Sequence, residues 1–239
     1  MALDVTVADI AGMIDHAILK PELTRDQVDT DLDLAARYRI FSVCVRPSDV
    51  AHAVARLDGS GVAVGTVIGF PHGTTSTQAK VAEAEQALAD GASELDMVLN
   101  IGRLRSGLLD DVRDDIAAVV AAAQGKVVKV IFETAYLSDD EIVAACRATA
   151  DAGADFVKTS TGFAGGGATI EHVTLMRASS PEHVQVKASG GVRSLDTLLE
   201  MKALGVTRFG TSATATILDE LGSRLAGAEA STTEDASSY

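Results

Sequence analysis

Two lysines stand where apolar strands would put valine or isoleucine. DFVKTSTGF (155–163) carries Lys158 among Phe156, Val157 and the β-branched Thr159 and Thr161, and VQVKASGG (184–191) ends its apolar run at Lys187. A buried ammonium is costly unless it is paired or discharged. If the two runs are neighbouring strands, their chains lie ~4.8 Å apart, so both amines could reach one end of the sheet. Like-charge repulsion and partial burial then both lower a lysine's pKa. At pH 7 an ordinary lysine is neutral in roughly one molecule in 2,500, whereas a pKa of ~7 would leave about half of it neutral. A neutral lysine attacks carbonyls and forms a Schiff base, whose iminium is an electron sink for making or breaking an adjacent carbon–carbon bond. A single lysine at a strand end is commonly a snorkelling side chain paired to a carboxylate. It is the repetition on successive elements that favours chemistry.

Asp96 is the third candidate. In ELDMVLN, Glu94, Asp96 and Val98 share one face and Leu95, Met97 and Leu99 the other. An inward acid needs a cation, here Lys129 or Lys158, and is suited to moving protons near a carbinolamine or iminium. Glu133 is a further acid placed to satisfy buried lysines.

These positions need a scaffold. The candidate strands are 13–19, 41–45, 64–70, 94–100, 127–134, 155–161, 184–189 and 208–213, and each of the first seven is followed by a helical pattern. Thr24 with Gln27 and Ser138 with Glu141 form capping boxes, Ser48 is placed to cap a helix running to Asp58, and Gly91, Gly125, Gly153 and Gly205 mark helix ends. Eight β-α units imply a (β/α)8 TIM barrel in one domain, residues 1–225, followed by a polar, acidic, mobile tail, 226–239. A doubly wound sheet would call for a glycine-rich turn after the first strand, and LKPELT has none.

In such barrels reactive groups sit at the C-terminal strand ends. Strand one there offers Asp15, His16 and Lys20, and strand two brings Cys44 near the mouth as a small buried thiol. GGVRS after strand seven (Gly190, Gly191, Val192, Arg193) and the Gly210, Thr211, Ser212 turn after strand eight present free N–H groups at helix starts, a pattern suited to phosphate. Gly162 and the following AGGGAT could close a third side.

The net charge of -14 argues against nucleic acid and anionic membranes as partners. The five histidines show no metal-ligand spacing, so no metal and no cofactor is expected. Two cysteines, Cys44 and Cys146, do not make a disulfide framework and read as reduced thiols of a cytoplasmic protein. The first residues lack the order of a signal peptide, and no apolar run reaches the ~18 residues of a membrane span. Assembly is left open, a homodimer through the outer helices being the form such barrels often take.

DHAILKPELT, SVCVRP, VIGFPHG, ELDMVLNIG, FVKTSTGF, VKASGGVR and RFGTSA, in that order, resemble the deoxyribose-phosphate aldolase family over about residues 10–215. The resemblance implies a class I, metal-independent aldolase on a (β/α)8 barrel. Its members interconvert 2-deoxy-D-ribose 5-phosphate with D-glyceraldehyde 3-phosphate and acetaldehyde. It also ranks the lysines, which spacing leaves equivalent: Lys158 as the Schiff-base lysine, Lys187 as the neighbour that lowers its pKa. Asp96 becomes the proton-transfer group. Gly162, Gly190, Gly191, Val192, Arg193, Gly210, Thr211 and Ser212 become the phosphate site. Ala17 departs from the threonine common in the family, and Phe163 stands where some members carry lysine beside the phosphate. The terminal SSY suggests a tail tyrosine, Tyr239, reaching the site. The alternatives are another Schiff-base aldolase or transaldolase-like barrel, and a non-catalytic sugar-phosphate-binding barrel.

Overall fold

The computed structural model describes residues 5–227. Eight parallel strands close into a barrel in simple sequence order: β1 (Ile14–Ile18), β2 (Ser42–Val45), β3 (Ala63–Ile68), β4 (Glu94–Val98), β5 (Val127–Ile131), β6 (Phe156–Lys158), β7 (Gln185–Ser189) and β8 (Val206–Thr211). Closure is made by β1 pairing with β8, Asp15 opposite Gly210. Helix α1 (Val7–Ala11) precedes β1, and the helices between and after the strands are α2 (Arg25–Tyr38), α3 (Val50–Arg56), α4 (Thr77–Ala89), α5 (Ile101–Arg105), α6 (Leu109–Ala122), α7 (Asp139–Asp151), α8 (Ile170–Ser179), α9 (Leu195–Ala203) and α10 (Thr214–Leu225). Tyr239 and the rest of the expected tail from 228 onward lie outside the described residues.

The alternation of each strand sorts its side chains. One parity, including Val43, Leu95, Met97, Val130, Val157 and Val186, packs outward against the helices and builds the aliphatic core. The other parity faces the barrel axis, where TIM barrels usually stack branched apolar side chains. Here that space holds Asp15, Glu94, Asp96, Lys129, Lys158, Lys187 and Arg208, all buried.

Both capping boxes form as expected. Thr24 and Gln27 open α2, Ser138 and Glu141 open α7. The Ser48 cap does not form. Arg46 grips Asp49 at 2.6 Å, and residues Pro47–Asp49 make a 3-10 turn before α3, which has no side-chain cap. Strand six is shorter than 155–161: regular pairing stops at Lys158, after which the Thr159 hydroxyl bonds the Ser189 carbonyl at 2.9 Å. Lys158 is therefore the last strand residue, at the mouth side of the barrel. A second buried ion pair lies outside the barrel: Lys80 on α4 donates to the Val98 carbonyl (2.9 Å) and to Asp115 on α6 (2.5 Å), tying the end of β4 to two helices.

Candidate active site

Register brings the two lysines together. Lys158 and Lys187 are direct partners across β6 and β7, and Asp96 is the partner of Lys129 across β4 and β5. Inside the ring of strands the three amines converge on one carboxylate. Lys158 Nζ and Lys187 Nζ each donate to Asp96 Oδ2 at 2.7 Å, and Lys129 Nζ donates to Asp96 Oδ1 at 2.7 Å. The acid needs this. Burial opposes its charge, but Lys129, Lys158 and Lys187 together hold its carboxyl well below the usual range.

The two lysines end in different states. Burial is the main force lowering the Lys158 amine below the ordinary lysine range; Lys187 adds to it, and Asp96 pulls the other way without making up the difference. Burial works against the Lys187 charge as well, but Asp15 and Asp96 outweigh it and raise that amine above the ordinary range. The expectation that repulsion and burial depress both lysines is thus corrected for Lys187, because it holds a second carboxylate: Asp15 Oδ2 lies 2.5 Å from its Nζ. Asp15 in turn accepts from Ser42 Oγ at 2.6 Å and from Arg208 at 2.7 Å. Burial opposes its charge too, and Lys187, Lys129 and Arg208 overcome it, so Asp15 stays ionised far into acid.

Sequence context alone gives Arg208 no prominence and assigns Asp15 and Glu94 no role. The signal was available: Arg208 lies two residues before Gly210 and so shares its face, as Glu94 shares the face of Asp96. Glu133 is buried in a left-handed backbone conformation (φ 56°) and accepts from the Thr161 N–H and hydroxyl. Burial raises its carboxyl, and the Thr161 hydrogen bonds and the Lys158 charge only partly offset this. Cys44 is buried and unpaired, its thiol pushed up to about 11 by burial and by Asp96. His16 is a buried structural residue whose Nδ1 meets Thr214 Oγ1 at 2.8 Å.

The glycine loops meet at the same end. Gly162, Gly190 and Gly191 all have positive φ, 85°, 79° and 76°. Thr211 Oγ1 donates to the Val192 carbonyl at 2.6 Å, which ties the loop after β7 to the end of β8. Val192 is buried, while Arg193 and Ser212 are exposed. Ser194 caps α9, whereas the first turn of α10 has no side-chain cap. Gly210 has an additional duty: a Cβ there would lie 3.3 Å from Lys187 Cε and 2.9 Å from Ser189 Cβ, so its absence makes room for the lysine. Phe163 is exposed and meets Phe70 edge-on, ring centroids 5.2 Å apart. Among the described residues no group of three or more His, Cys, Asp or Glu side chains is arranged to hold a metal ion. Nor is any helix among them long and apolar enough to cross a membrane.

A closed parallel barrel with a carboxylate shared by three buried lysines is an arrangement suited to Schiff-base chemistry at carbon–carbon bonds. The chain belongs to the DeoC/LacD aldolase family, whose model matches residues 8–211. It is 54% identical over 211 residues to a deoxyribose-phosphate aldolase of Staphylococcus haemolyticus, covering 88% of this chain and 96% of that one. It is 55% identical over 211 residues to deoxyribose-phosphate aldolase 2 of Staphylococcus aureus strain MRSA252, with the same coverage, 88% and 96%. Its fold superimposes on the tetrameric deoxyribose phosphate aldolase of Aeropyrum pernix with a TM-score of 0.85 at 30% identity, over 92% of this chain and 93% of that one.

Proposed function

We propose that the protein is a class I aldolase that reversibly cleaves 2-deoxy-D-ribose 5-phosphate to D-glyceraldehyde 3-phosphate and acetaldehyde, with Lys158 as the Schiff-base residue. The observation that carries this is the unequal supply of carboxylates: both lysines share Asp96 Oδ2, Lys187 holds Asp15 as well, and Lys158 alone of the two is lowered from the ordinary lysine range. The names of the relatives supply the substrate.

In the cleavage direction the neutral Lys158 amine adds to the C1 aldehyde, and the carbinolamine loses water to give an iminium. Loss of the C3 hydroxyl proton then lets the C2–C3 bond break. Its electron pair moves onto C2 and toward the iminium nitrogen, leaving an enamine on Lys158, and C3 becomes the aldehyde of glyceraldehyde 3-phosphate. Protonation at C2 and hydrolysis of the resulting iminium release acetaldehyde and restore the lysine. Asp96 begins as a carboxylate, so its first part in a proton transfer is acceptance; Lys187, held as an ammonium, is the adjacent source of a proton. Gly162, Gly190, Gly191, Val192, Arg193 and the Gly210–Thr211–Ser212 turn form the phosphate subsite in this reading, supported by the uncapped first turn of α10 and the joined loops. Two free buried thiols agree with a cytoplasmic setting, and a homodimer is the assembly this reading expects.

The test is borohydride reduction in the presence of acetaldehyde or the sugar phosphate, with the modified peptide mapped by mass spectrometry. Reduction should add a two-carbon unit to Lys158 when acetaldehyde is used. Modification of neither Lys158 nor Lys187 would remove the Schiff-base reading. Cleavage products of the dihydroxyacetone type in place of acetaldehyde would reassign the substrate to a longer sugar phosphate.

A further inference from the structure

The charged side chains inside the barrel form a closed ring of alternating sign. From Asp96 Oδ2 the path runs to Lys187 (2.7 Å), to Asp15 (2.5 Å), to Arg208 (2.7 Å), to Glu94 (3.1 Å), to Lys129 (2.7 Å) and back to Asp96 Oδ1 (2.7 Å). Three carboxylates and three cations close on one another, and the ring is neutral. Lys158 hangs from it by a single bond to Asp96, as the one cation left over.

We propose that this ring, closed at the barrel floor by Arg208 and Glu94, is the device that makes Lys158 give up its proton, with Arg208 and Glu94 as positioning residues that never touch substrate. The proposal rests on Lys158 being the Schiff-base residue. Glu94 is the first residue of β4 and Arg208 lies over Phe41, which precedes β2, with its guanidinium carbon 3.5 Å from the ring centroid. Both therefore sit toward the N-terminal end, while Lys158 ends β6. In a low-dielectric enclosure a group responds to every unit charge that shares the space. With the ring intact, a protonated Lys158 leaves the ring and its attached lysine one charge positive, and a neutral Lys158 leaves them balanced. Lys187, Lys129 and Arg208 cannot relieve the excess as easily, because each bonds two carboxylates and Lys158 bonds one.

The count is of the ring and Lys158; Glu133 lies outside it, its carboxyl bonded to Thr161 and, among the described residues, to no cation, and its pKa raised by burial. Asp96 faces Lys158 from β4, Lys187 from β7, the Cys44 thiol from β2 and Glu133 from the loop after β5. The ring adds Lys129 from β5, Asp15 from β1 and Arg208 from β8. Strand β3 turns Gly65 and Val67 to this space and contributes no charge.

The experiment follows the pH midpoint of acetaldehyde–borohydride trapping on Lys158, read by peptide mapping, in Arg208→Met, Arg208→Lys, Glu94→Gln and the double variant Arg208→Met/Glu94→Gln. Arg208→Met removes a positive charge, so Lys158 should keep its proton longer and the midpoint should rise by about one pH unit. Glu94→Gln removes a negative charge, and the midpoint should fall by a similar amount. The double variant restores the count and should return close to wild type, as should Arg208→Lys. A purely structural role would reduce the amount of trapping without moving midpoints in opposite directions. If Arg208→Met does not fold, Glu94→Gln alone decides by the sign of its shift. Trapping on Lys158 with unmoved midpoints, or single variants shifting the same way, overturns the ring proposal and leaves the aldolase reading intact. No trapping on wild-type Lys158 overturns both.

Discussion

Lys158 and Lys187 have identical chemistry and face each other across one strand pair, and their difference lies wholly in how acids are shared. Lys187 bonds Asp15 and Asp96, whereas Lys158 bonds only the Asp96 oxygen that Lys187 also occupies. Replacing Lys187 by Met would remove that competitor and one interior charge together. The Lys158 amine should then titrate closer to an ordinary lysine, and activity near pH 7 should fall by about 10²- to 10⁴-fold, the usual scale for losing a positioned proton-transfer group. A pH–rate profile and thermal unfolding of the variant would check this. A folded variant whose alkaline activation superimposes on wild type removes Lys187 from the coupling. Both lysines and Asp96 were legible as anomalies, charges set into apolar strands. Their ranking was not, because it depends on Asp15, which is more than 170 residues from Lys187 in the chain and reaches it only through barrel closure.

At the level of strands, helices and loops, what was legible was what local chemistry decides. Alternation located all eight strands, and side-chain caps located the starts of α2 and α7. The five-residue helices α1 and α5 escaped because a helix so short shows little periodicity. Strand six ends three residues short of the expected Thr161, although Thr159 and Thr161 favour strands: the Thr159 N–H still reaches the Lys187 carbonyl, but the Thr161 N–H and hydroxyl are taken by the Glu133 carboxylate instead of a ladder partner. The loop after β7 is a sharper case. Gly190 adopts φ 79°, and a Cβ there would lie 3.0 Å from Gly167 Cα and 3.3 Å from Ser160 Cβ. An L-residue in this conformation costs about 1–2 kcal/mol before any contact is counted. Gly190→Ala should therefore displace the loop that the proposed phosphate subsite uses. KM for 2-deoxyribose 5-phosphate should rise about tenfold, the equivalent of ~1.4 kcal/mol, while cleavage of unphosphorylated 2-deoxyribose changes little. Parallel losses on both sugars would mean that the loop serves the reacting carbons, not the phosphate.

For the molecule as a whole, the informative contrast is between a chain of net charge -14 and a barrel axis where Lys129, Lys187 and Arg208 match Asp15, Glu94 and Asp96 in closed alternation. Composition shows only the first. The second requires knowing which parity of each strand faces the axis, and it shows an acidic protein spending as many cations as acids on its own interior. Such an interior is also a burden on stability, because a buried cation with one shared partner loses more hydration than it regains. Lys158→Met keeps roughly the same volume and leaves Asp96 bonded to Lys129 and Lys187, so at neutral pH the variant should be more stable than wild type by about 1–2 kcal/mol. The pH dependence has a definite sign. The Lys158 pKa is lowered in the folded state, so between that value and the unfolded ~10.4 the unfolded chain binds more protons, and the wild-type contribution improves as pH rises. Met does not titrate, so the advantage of the variant should shrink from pH 7 toward about pH 10. Urea unfolding of both proteins across that range measures the difference directly, with the other titrating groups common to both. A variant less stable at neutral pH, or an advantage that grows with pH, would mean that the fold profits from Lys158 as an ammonium, and the amine would then have no electrostatic reason to become the nucleophile.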